Sequence, residues 1–562
     1  MSSPADSTAP GDDTGREEST SPAEKPGPSI GRSSALLASG TIVSRIMGFV
    51  RTIILAQTIG LVGSASADAF AVANQLPNNI YVIIAGGTLS AVLVPQIVRA
   101  MLHSDGGKGY INKLLTITMV ILGGTTLAAT LLAPVLVTIS AVGFSGEQRA
   151  LAIAFAYWCL PQIFFYGLYT VLGEVLNAKA VFGPFTWAPA LNNAISIIGL
   201  VVFMLLFGDD PNGERAVSDW GPDKIALLGG FTTLAVAAQA LVLFVAWRRV
   251  GIRYRPDFAW RGVGLGSAGK LAGWTFGMLL VTQAAGLVET NVASIASGSD
   301  ASIATIQNAW LIFMLPHSLV TVSIVTAYFT KMSGHANRGE IPQLRTDVSA
   351  AIRSTSLFMV LAMVVLIIVA YPFASLFSQS FFGASAMGDV LIAFLVGLLP
   401  FTVLFVVQRV FYSLSDTRTP FFLQVLQASI FTVLALGCSF LPVEWVAVGL
   451  ALALSAATAV QTLVAALIIR RRLGGKGGAT VLRSYGRYGL AAIPASVAGY
   501  AVMAALGGRT EGGFAVTPFV PAILSMAIVG VVMLVVYLGA LFLLRSPELR
   551  DALRPIRARL NR

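Results

Sequence analysis

Residues 36–60 read LLASGTIVSRIMGFVRTIILAQTIG, an apolar run that carries two arginines, Arg45 and Arg51. At about 1.5 Å per residue, a helix of this length crosses the roughly 30 Å hydrocarbon layer of a membrane. A positive charge near the middle of a bilayer costs at least about 2.5 kcal/mol, so intramembrane arginines mark functional sites by default. The run therefore predicts a first membrane helix with a functional pair of cations.

Thirteen further apolar segments of similar length follow in the chain. Apolar residues make up 56% of the sequence and charged residues only 11%, against about 25% charged residues in soluble domains. The mean hydropathy is +0.79. We predict an all-α polytopic membrane protein with 14 transmembrane helices. They lie at 36–60, 69–98, 114–140, 150–173, 187–207, 224–247, 270–297, 303–330, 354–377, 387–412, 421–441, 444–469, 485–506 and 519–544.

Lysine and arginine are distributed unequally between alternate loops. Of the 37 Lys and Arg residues, 31 fall in the tails and in the loops on one predicted side, and only four fall on the other. Because cytoplasmic loops are enriched in these residues, we predict a plasma-membrane protein with both termini in the cytoplasm. The net charge of +11 thus reflects orientation and does not indicate a nucleic-acid partner.

Two Leu-Pro pairs recur at a fixed spacing. Pro77 and Pro316 are 239 residues apart, as are Pro161 and Pro400. An offset of six helices makes the two copies parallel, as in transporters whose halves alternate access around a central cavity. The predicted units are a disordered cytoplasmic tail at 1–34, a first lobe at 36–247, a second lobe at 270–469, two additional helices at 485–544 and a basic cytoplasmic tail at 545–562.

Enzyme signatures are missing from the sequence. The three histidines are scattered, and no HExxH, GxSxG, Walker loop or cluster of carboxylates occurs. We therefore predict a transporter rather than an enzyme, without a cofactor or metal site, driven by an ion gradient, the membrane potential or substrate supply. Cys159 and Cys438 lie in separate apolar segments, which favours two inert thiols.

Candidate ligand-binding residues cluster on the first helix. Ser44, Gly48 and Arg51 follow i, i+4, i+7 spacing and share one face, with Arg45 about 100° around the helix. Gly48 leaves room for another backbone or a ligand, and guanidinium groups suit a phosphate or diphosphate. The alternative is a structural ion pair between one arginine and Asp68, at the start of the second helix.

A single acid lies deep in the second predicted lobe. Glu289 stands midway along the seventh predicted helix. A carboxylate in such a position is protonated, paired with an arginine of the other lobe or bound to a cation. The sequence is compatible both with a role in ion coupling or gating and with a simple ion pair between the lobes.

Several motifs form a set that extends over most of the chain. They are Ser44 to Arg51, Asp68-Ala69-Phe70, Leu76-Pro77-Asn78, Val94-Pro95, Phe182-Gly183-Pro184, Trp187 to Asn193 and Asp416-Thr417-Arg418-Thr419-Pro420. This set resembles the MviN/MurJ family, the lipid II flippases of the MOP superfamily of MATE-like exporters. The resemblance covers about 36–544 and includes the number of helices. The Ala- and Gly-rich, Arg-heavy composition is similar to that of actinobacterial members.

The resemblance implies a function in cell-wall synthesis. Two lobes that form a V would move lipid II, the undecaprenyl-diphosphate-linked precursor of peptidoglycan, from the inner to the outer leaflet by alternating access. The expected partners are lipid II, membrane lipids, a monovalent cation at Glu289 and other proteins of cell-wall synthesis. The residues that the resemblance assigns to substrate binding are Ser44, Arg45, Gly48, Arg51, Asp68 and Asn78.

Three positions depart from the family pattern. Tyr81, Leu311 and Met314 stand where well-studied members carry two arginines and a glutamate, so this cavity would hold about two arginines rather than four. The alternatives are a flippase for another polyprenyl-diphosphate-linked glycan, a MATE-like drug antiporter and a non-transporting scaffold for cell-wall synthesis. A drug antiporter would need acids and aromatic side chains to bind cations, and a scaffold would tolerate the loss of the cavity arginines.

Overall fold

The computed structural model describes residues 30–85, 107–179, 181–249, 251, 254–259, 269–475 and 478–551. Regular structure in these ranges is helical throughout, without a strand. The α-helices are α1 (Ile30–Ile59), α2 (Ala65–Ala85), α3 (Lys108–Leu131), α4 (Ala133–Ser140), α5 (Gly146–Cys159), α6 (Gln162–Ala178), α7 (Gly183–Phe207), α8 (Pro222–Arg249), α9 (Gly269–Ala293), α10 (Ile303–Pro316), α11 (Val322–Asn337), α12 (Ile341–Ile368), α13 (Ala370–Ala374), α14 (Phe381–Val396), α15 (Leu398–Ser413), α16 (Arg418–Cys438), α17 (Val443–Arg472), α18 (Gly478–Ala505) and α19 (Val520–Leu543).

The helices confirm an all-helical polytopic membrane fold. Twelve helical segments of the described chain are long and apolar enough to cross a membrane, and the pair α14–α15, bent by 43°, makes a thirteenth if it forms one span. The second predicted helix, 69–98, overlaps α2, and its remainder falls in 86–106, outside the described residues. Most of the predicted tail at 1–34 and the end of the tail at 545–562 also lie outside them.

Three of the four repeated Leu-Pro pairs coincide with a break in a predicted helix. The tenth predicted helix is divided at Gly397, two residues before Leu399-Pro400, into α14 and α15. The fourth predicted helix is divided at Leu160-Pro161 into α5 and α6. The eighth continues past Pro316 through one π-helical turn, His317–Thr321, before α11 begins. Proline lacks the N–H that an α-helix needs and its ring clashes with the preceding turn. The helix around Pro77, in contrast, is continuous.

The helices fall into two groups by their contacts. In the first helix group (α1–α8), α1 packs along α7, α7 along α8 and α2 along α5. In the second helix group (α9–α17), α9 packs along α16 and α16 along α17. Helices α18 and α19 pack against each other and against α12.

A buried core joins the two helix groups at one end. Ala67 and Phe70 of the first group belong to the same apolar cluster as Ala296 and Ile303 of the second. Phe49 extends this contact, because its ring meets those of Phe373 and Phe377 edge-on at 5.7 Å. By the predicted orientation, this joined end faces the outside of the cell.

Candidate functional site

The two arginines of α1 reach different parts of the molecule. The Arg45 side chain is exposed, and its Nη1 donates a hydrogen bond to Ser318 Oγ of the second helix group at 2.6 Å. Arg51 is partly buried and lies toward α6, where its guanidinium is within electrostatic range of the Tyr166 hydroxyl. The two cations therefore do not form one paired clamp in this conformation.

Ser44 and Gly48 face α7. Asn193 Nδ2 donates to the Ser44 carbonyl oxygen at 2.9 Å. A Cβ placed on Gly48 would stand 3.4 Å from the same Nδ2. The space beside Gly48, which was predicted to admit another backbone or a ligand, is thus occupied in this structure by the Asn193 side chain.

Asp68 is buried between the two helix groups, with 1% of its surface exposed. Its Oδ2 accepts a hydrogen bond from Ser297 Oγ at 2.6 Å, and its Oδ1 accepts one from the Ala304 backbone N–H at 2.8 Å. Ala304 lies in the first turn of α10, so Asp68 caps a helix of the opposite group. Within the described ranges no salt bridge joins Asp68 to either arginine of α1. The alternative of such an ion pair is wrong for this conformation, because the carboxylate is held by Ser297 and α10 instead.

Further hydrogen bonds close the same end. Gln148 Nε2 donates to Ser297 Oγ at 2.6 Å, and the Gly143 N–H donates to Ser294 Oγ at 3.0 Å. The Gly63 N–H donates to the Asp300 carbonyl oxygen at 3.1 Å. These contacts are hydrogen bonds between particular residues of the two helix groups, so specific interactions close the joined end.

The polar residues around Pro77 divide between two roles. Gln75 Oε1 accepts a hydrogen bond from Gln307 Nε2 at 2.8 Å, and the Asn79 carbonyl oxygen accepts one from Gln283 Nε2 at 3.1 Å. Asn78 is exposed. Gln75 and Asn79 therefore tie α2 to the second helix group, whereas the Asn78 side chain makes no such contact and is exposed.

Glu289 lines a cavity of about 440 Å³ inside the second helix group. Its carboxylate makes no hydrogen bond or salt bridge with any other described residue, so the predicted alternative of a pair with an arginine of the first lobe is not formed. Aromatic rings such as Trp310 and Phe401 form much of the wall. Seven glutamines share the cavity with Glu289: Gln75, Gln283, Gln307, Gln408, Gln424, Gln427 and Gln461. Their recurrence in apolar helices is visible in the sequence, but a site prediction based on charged residues alone does not include them.

The three departures from the family pattern lie in two places. Tyr81 is on α2, where its ring stands 5.8 Å from that of Tyr166 and its hydroxyl is hydrogen-bonded to that of Thr170. Leu311 and Met314 are on α10, and Met314 packs against the large apolar core. The position of Tyr81 brings α2 and α6 together beside Arg51.

Comparison with known proteins gives one consistent family. The family model described as lipid II flippase MurJ matches residues 55–544. The chain is 24% identical over 450 residues to a probable lipid II flippase MurJ of Borreliella burgdorferi, covering 78% of this chain and 83% of that one. It is 26% identical over 444 residues to a probable lipid II flippase MurJ of Haemophilus influenzae, covering 74% and 81%.

Solved structures share the fold. A lipid II flippase MurJ in an inward closed conformation superposes with a TM-score of 0.70 at 20% identity, covering 92% of this chain and all of that one. A multidrug resistance MATE family transporter of the MOP superfamily, in an inward-facing conformation, superposes with a TM-score of 0.60 at 17% identity, covering 79% and 99%. At these identities the likeness is one of fold.

Proposed function

The chain belongs to the MurJ family of lipid II flippases, and from this membership we propose that it moves lipid II from the inner to the outer leaflet of the cell membrane. Curated relatives that cover about three quarters of the chain are named as probable lipid II flippases, which supports the same substrate. The protein is then a multi-pass membrane transporter that serves peptidoglycan synthesis.

The observation that carries the proposal is the placement of Arg45. It lies within a membrane-spanning helix, yet its guanidinium reaches across to the second helix group. A diphosphate that passes between the groups meets this cation, and guanidinium groups bind phosphate oxygens with planar, charge-assisted hydrogen bonds. Arg51 provides a second cation on the same helix, and Asn78 provides an exposed amide on α2. Ser44 and Gly48 fix the packing of α1 against α7.

The proposed mechanism is alternating access between two parallel six-helix lobes, 36–247 and 270–469, within a total of 14 spans. The two additional helices at 485–544 complete the 14 spans, and both termini lie on the cytoplasmic side. The closure around Asp68 supports a conformation that is shut toward the outside. Lipid II would enter from the cytoplasmic side with its headgroup between the lobes and its polyprenyl tail in the membrane. Separation of the closed end would then release the headgroup outward.

Glu289 is the proposed site of ion coupling or gating. Its carboxylate faces a cavity rather than a basic partner, so a proton or a monovalent cation can reach it. The cavity belongs to the second lobe and includes Gln75 of the first. Binding of a proton or a cation at Glu289 would therefore affect a contact between the lobes.

A second candidate function is a flippase for another polyprenyl-diphosphate-linked glycan. Tyr81 favours it, because a neutral ring and hydroxyl stand where other family members place a cation. The shared fold does not distinguish a drug antiporter from a flippase. The acid and the aromatic rings of the Glu289 cavity are features that a drug antiporter would need, whereas the cation Arg45 between the lobes favours an anionic substrate. A scaffold does not require arginines inside the membrane.

The test uses cells depleted of their own lipid II flippase and carrying this gene. A probe that attacks only externally displayed lipid II reports transfer. We expect exposure of lipid II to be restored by the wild type and by Arg338→Ala, a matched loss of an exposed cytoplasmic arginine, and lost in Arg45→Ala. A well-expressed wild type that gives no exposure would overturn the proposal and direct the assay to other polyprenyl-linked glycans.

A further inference from the structure

The cavity that contains Glu289 is much larger than a proton or a monovalent cation requires. Its volume of about 440 Å³ falls within the range of roughly 300–1,000 Å³ that is typical of small-molecule sites. Such sites combine apolar and aromatic walls with a few polar groups that fix the orientation of the ligand. The lining of this cavity has both components, so its size and composition fit an organic ligand.

Trp310 forms a rigid aromatic surface in the cavity wall. Its indole ring stacks on the Phe313 ring at 4.8 Å between centroids. The rings of Phe394 and Phe401 meet the indole edge-on at 5.5 and 5.9 Å. Trp310 is nevertheless only partly buried, and it lines the cavity. Three neighbouring rings thus fix the plane of an indole that the flat apolar face of a ligand can contact.

The N–H group of this indole has no partner in the protein. A buried tryptophan N–H usually donates a hydrogen bond, as Trp220 does to Ser66 Oγ at 2.7 Å and Trp247 does to the Leu172 carbonyl oxygen at 3.1 Å. Trp310 Nε1 makes no hydrogen bond with any residue that the structure describes. The donor is therefore available to a ligand in the cavity.

Two glutamines add free polar groups to the same cavity. Gln283 Nε2 donates to the Asn79 carbonyl oxygen at 3.1 Å, and because this carbonyl can only accept, the amide is oriented with Oε1 as a free acceptor. Gln408 makes no hydrogen bond within the described part of the chain, so its carboxamide offers a donor and an acceptor. Polar groups within a membrane protein cost free energy unless they find partners. These free groups therefore indicate a ligand that carries hydrogen-bonding groups of its own.

The combination of free groups distinguishes between classes of ligand. A sugar ring has apolar C–H faces, and each of its hydroxyls both donates and accepts hydrogen bonds. A phosphate would have no cationic partner, since no lysine or arginine is among the described residues that line the cavity. A hydrophobic organic cation would use Glu289 and the aromatic rings, but it would leave the carboxamides of Gln283 and Gln408 without partners. A sugar uses both the indole surface and the carboxamides.

We propose that this cavity is a subsite for a sugar ring of the transported lipid: the ring stacks on Trp310, and its hydroxyls bond to the indole N–H and to the free groups of Gln283 and Gln408. The diphosphate stays at Arg45, outside the cavity. The inference rests on the proposed function, since it takes a polyprenyl-diphosphate-linked glycan to be the substrate.

The subsite lies within reach of the proposed diphosphate site. Arg45 contacts Ser318, which follows Trp310 by eight residues along α10 and the π-helical turn. At about 1.5 Å per residue this separation is roughly 12 Å, a span that a disaccharide attached to a diphosphate covers. Gln75 of α2 also lines the cavity. Part of the wall therefore stands at the boundary between the helix groups, where the headgroup is proposed to pass.

The experiment measures ligand binding to the purified full-length protein in lipid nanodiscs. The probes are lipid II, undecaprenyl diphosphate without a glycan, undecaprenyl diphosphate that carries a single hexose, and the hydrophobic cation tetraphenylphosphonium. The variants are Gln408→Leu, Trp310→Phe and Trp310→Leu. Gln343→Leu and Trp445→Leu are the matched controls, because both side chains are exposed and lie outside the cavity.

We expect Gln408→Leu and Trp310→Phe each to weaken binding of lipid II about fivefold, as for the loss of one hydrogen bond. Trp310→Leu also removes the aromatic surface, so it should weaken binding at least about tenfold. Binding of undecaprenyl diphosphate should be unchanged in all three variants, which shows that they are folded. The two controls should bind every probe like the wild type.

Two results would overturn the inference. Equal weakening of lipid II and undecaprenyl diphosphate would show that these side chains support the second helix group rather than bind a sugar. Unchanged binding of lipid II in both Gln408→Leu and Trp310→Leu would remove the subsite. Loss of tetraphenylphosphonium binding in the same two variants would then assign the cavity to organic cations.

Failure of the proposed function would give a different pattern. A wild type that binds the hexose-linked lipid but not lipid II would overturn lipid II as the substrate. The sugar subsite would stand if Gln408→Leu and Trp310→Leu then weakened binding of the hexose-linked lipid and left binding of undecaprenyl diphosphate unchanged.

Discussion

Arg45 Nη1 lies 2.6 Å from Ser318 Oγ, and this hydrogen bond links the first membrane helix to the π-helical turn after Pro316. The Ser318 hydroxyl donates to the Leu315 carbonyl oxygen at 3.1 Å, so its oxygen is available to accept from the guanidinium. The break in the helix after Pro316 thus presents an acceptor to a cation of the opposite helix group. The contact places Arg45 between the groups, where a transported anion would pass.

The two partners of this contact should differ in their importance for transport. Arg45→Ala removes the cation and should lower outward transfer of lipid II at least about tenfold, because hydrogen bonds to charged groups are worth roughly 1.5–3 kcal/mol. Ser318→Ala removes only an acceptor that lipid oxygens can replace, and it should retain most activity. Display of lipid II at the outer surface, normalised to expression, measures both. Wild-type transfer by both Arg45→Ala and Arg51→Ala would refute the cationic passage.

Asp68 should control the closed end of the passage. Asp68→Ala removes the acceptor for Ser297 Oγ and for the Ala304 N–H, and loss of a helix cap costs about 1 kcal/mol. The equilibrium should shift about fivefold toward conformations open to the outside. A membrane-impermeant thiol reagent would detect this as faster labelling of Ala301→Cys, a buried position at the closure.

The control for this experiment is Asp68→Asn, which keeps one carbonyl oxygen for the Ala304 N–H. It should label at a rate between those of the wild type and Asp68→Ala. Identical labelling in all three proteins would show that Asp68 does not hold the closure.

A disulfide across the closed end should stop transport. A Cβ on Gly298 would stand 3.4 Å from Ala65 Cβ, close to the 3.5–4.5 Å that a disulfide requires. Gly298 has φ +76°, so a cysteine there costs about 1 kcal/mol, which the closed structure can bear. In Ala65→Cys/Gly298→Cys, oxidation should abolish lipid II transfer and reduction should restore it. Each single variant should transfer under both conditions, and transfer by the cross-linked protein would argue against separation of this end.

Glu289→Gln should change the energetic coupling of transport. The amide keeps the size of the side chain but cannot bind a proton or neutralise a cation in the cavity. Transfer by the variant should lose its dependence on a sodium gradient, a proton gradient or the membrane potential, whichever drives the wild type. Proteoliposomes with each gradient imposed separately supply the measurement. Adding Gln283→Glu to the Glu289→Gln variant returns an acid to the cavity at a different position. This double variant should fail to restore coupling. A variant with unchanged dependence would leave Glu289 a packing residue.

The sequence was sufficient for the all-helical membrane fold and for the first membrane helix, because both depend on local patterns. The count of 14 spans and the substrate-binding role of the first-helix residues stay predictions. Apolar runs predict helices, and the distribution of lysine and arginine predicts their alternation. The i, i+4, i+7 face of Ser44, Gly48 and Arg51 follows from helical periodicity alone. Periodicity does not show which helix that face contacts. In the structure, Ser44 and Gly48 contact Asn193 of α7.

Contacts between distant segments could not be predicted in the same way. Asp68 pairs with Ser297 and α10, which are more than two hundred residues away, and no spacing in the sequence indicates it. Charge alone suggested an arginine as its partner. Backbone N–H groups at a helix start are an equally good partner for a carboxylate, and they carry no sequence signature.

The cluster around Glu548, which joins the segment after α19 to α12 and α18, provides a test of stability that is independent of transport. Glu548 Oε1 pairs with Arg353 Nη1 at 2.5 Å, and the Glu548 side chain is 5% exposed. Ser484 Oγ and Ser546 Oγ each donate to the carboxylate at 2.9 Å. Burial raises the pKa of Glu548, but the hydrogen bonds from its own N–H, both serines and Arg353 outweigh it and lower the pKa overall.

Removal of this acid should destabilise the protein in a pH-dependent manner. Glu548→Ala leaves Arg353 without its partner and should lower stability by about 3 kcal/mol at pH 7. Because the folded pKa is lowered, the stabilisation is complete above the ordinary glutamate pKa of about 4.3 and is lost as pH falls through the lower folded value. The thermal unfolding midpoints of wild type and variant in detergent should therefore converge in acid. Glu340→Ala, which breaks the more exposed pair with Arg338, should leave the midpoint nearly unchanged. Equal losses in both variants, or a gap that widens in acid, would show that the Glu548 cluster does not stabilise the fold by this mechanism.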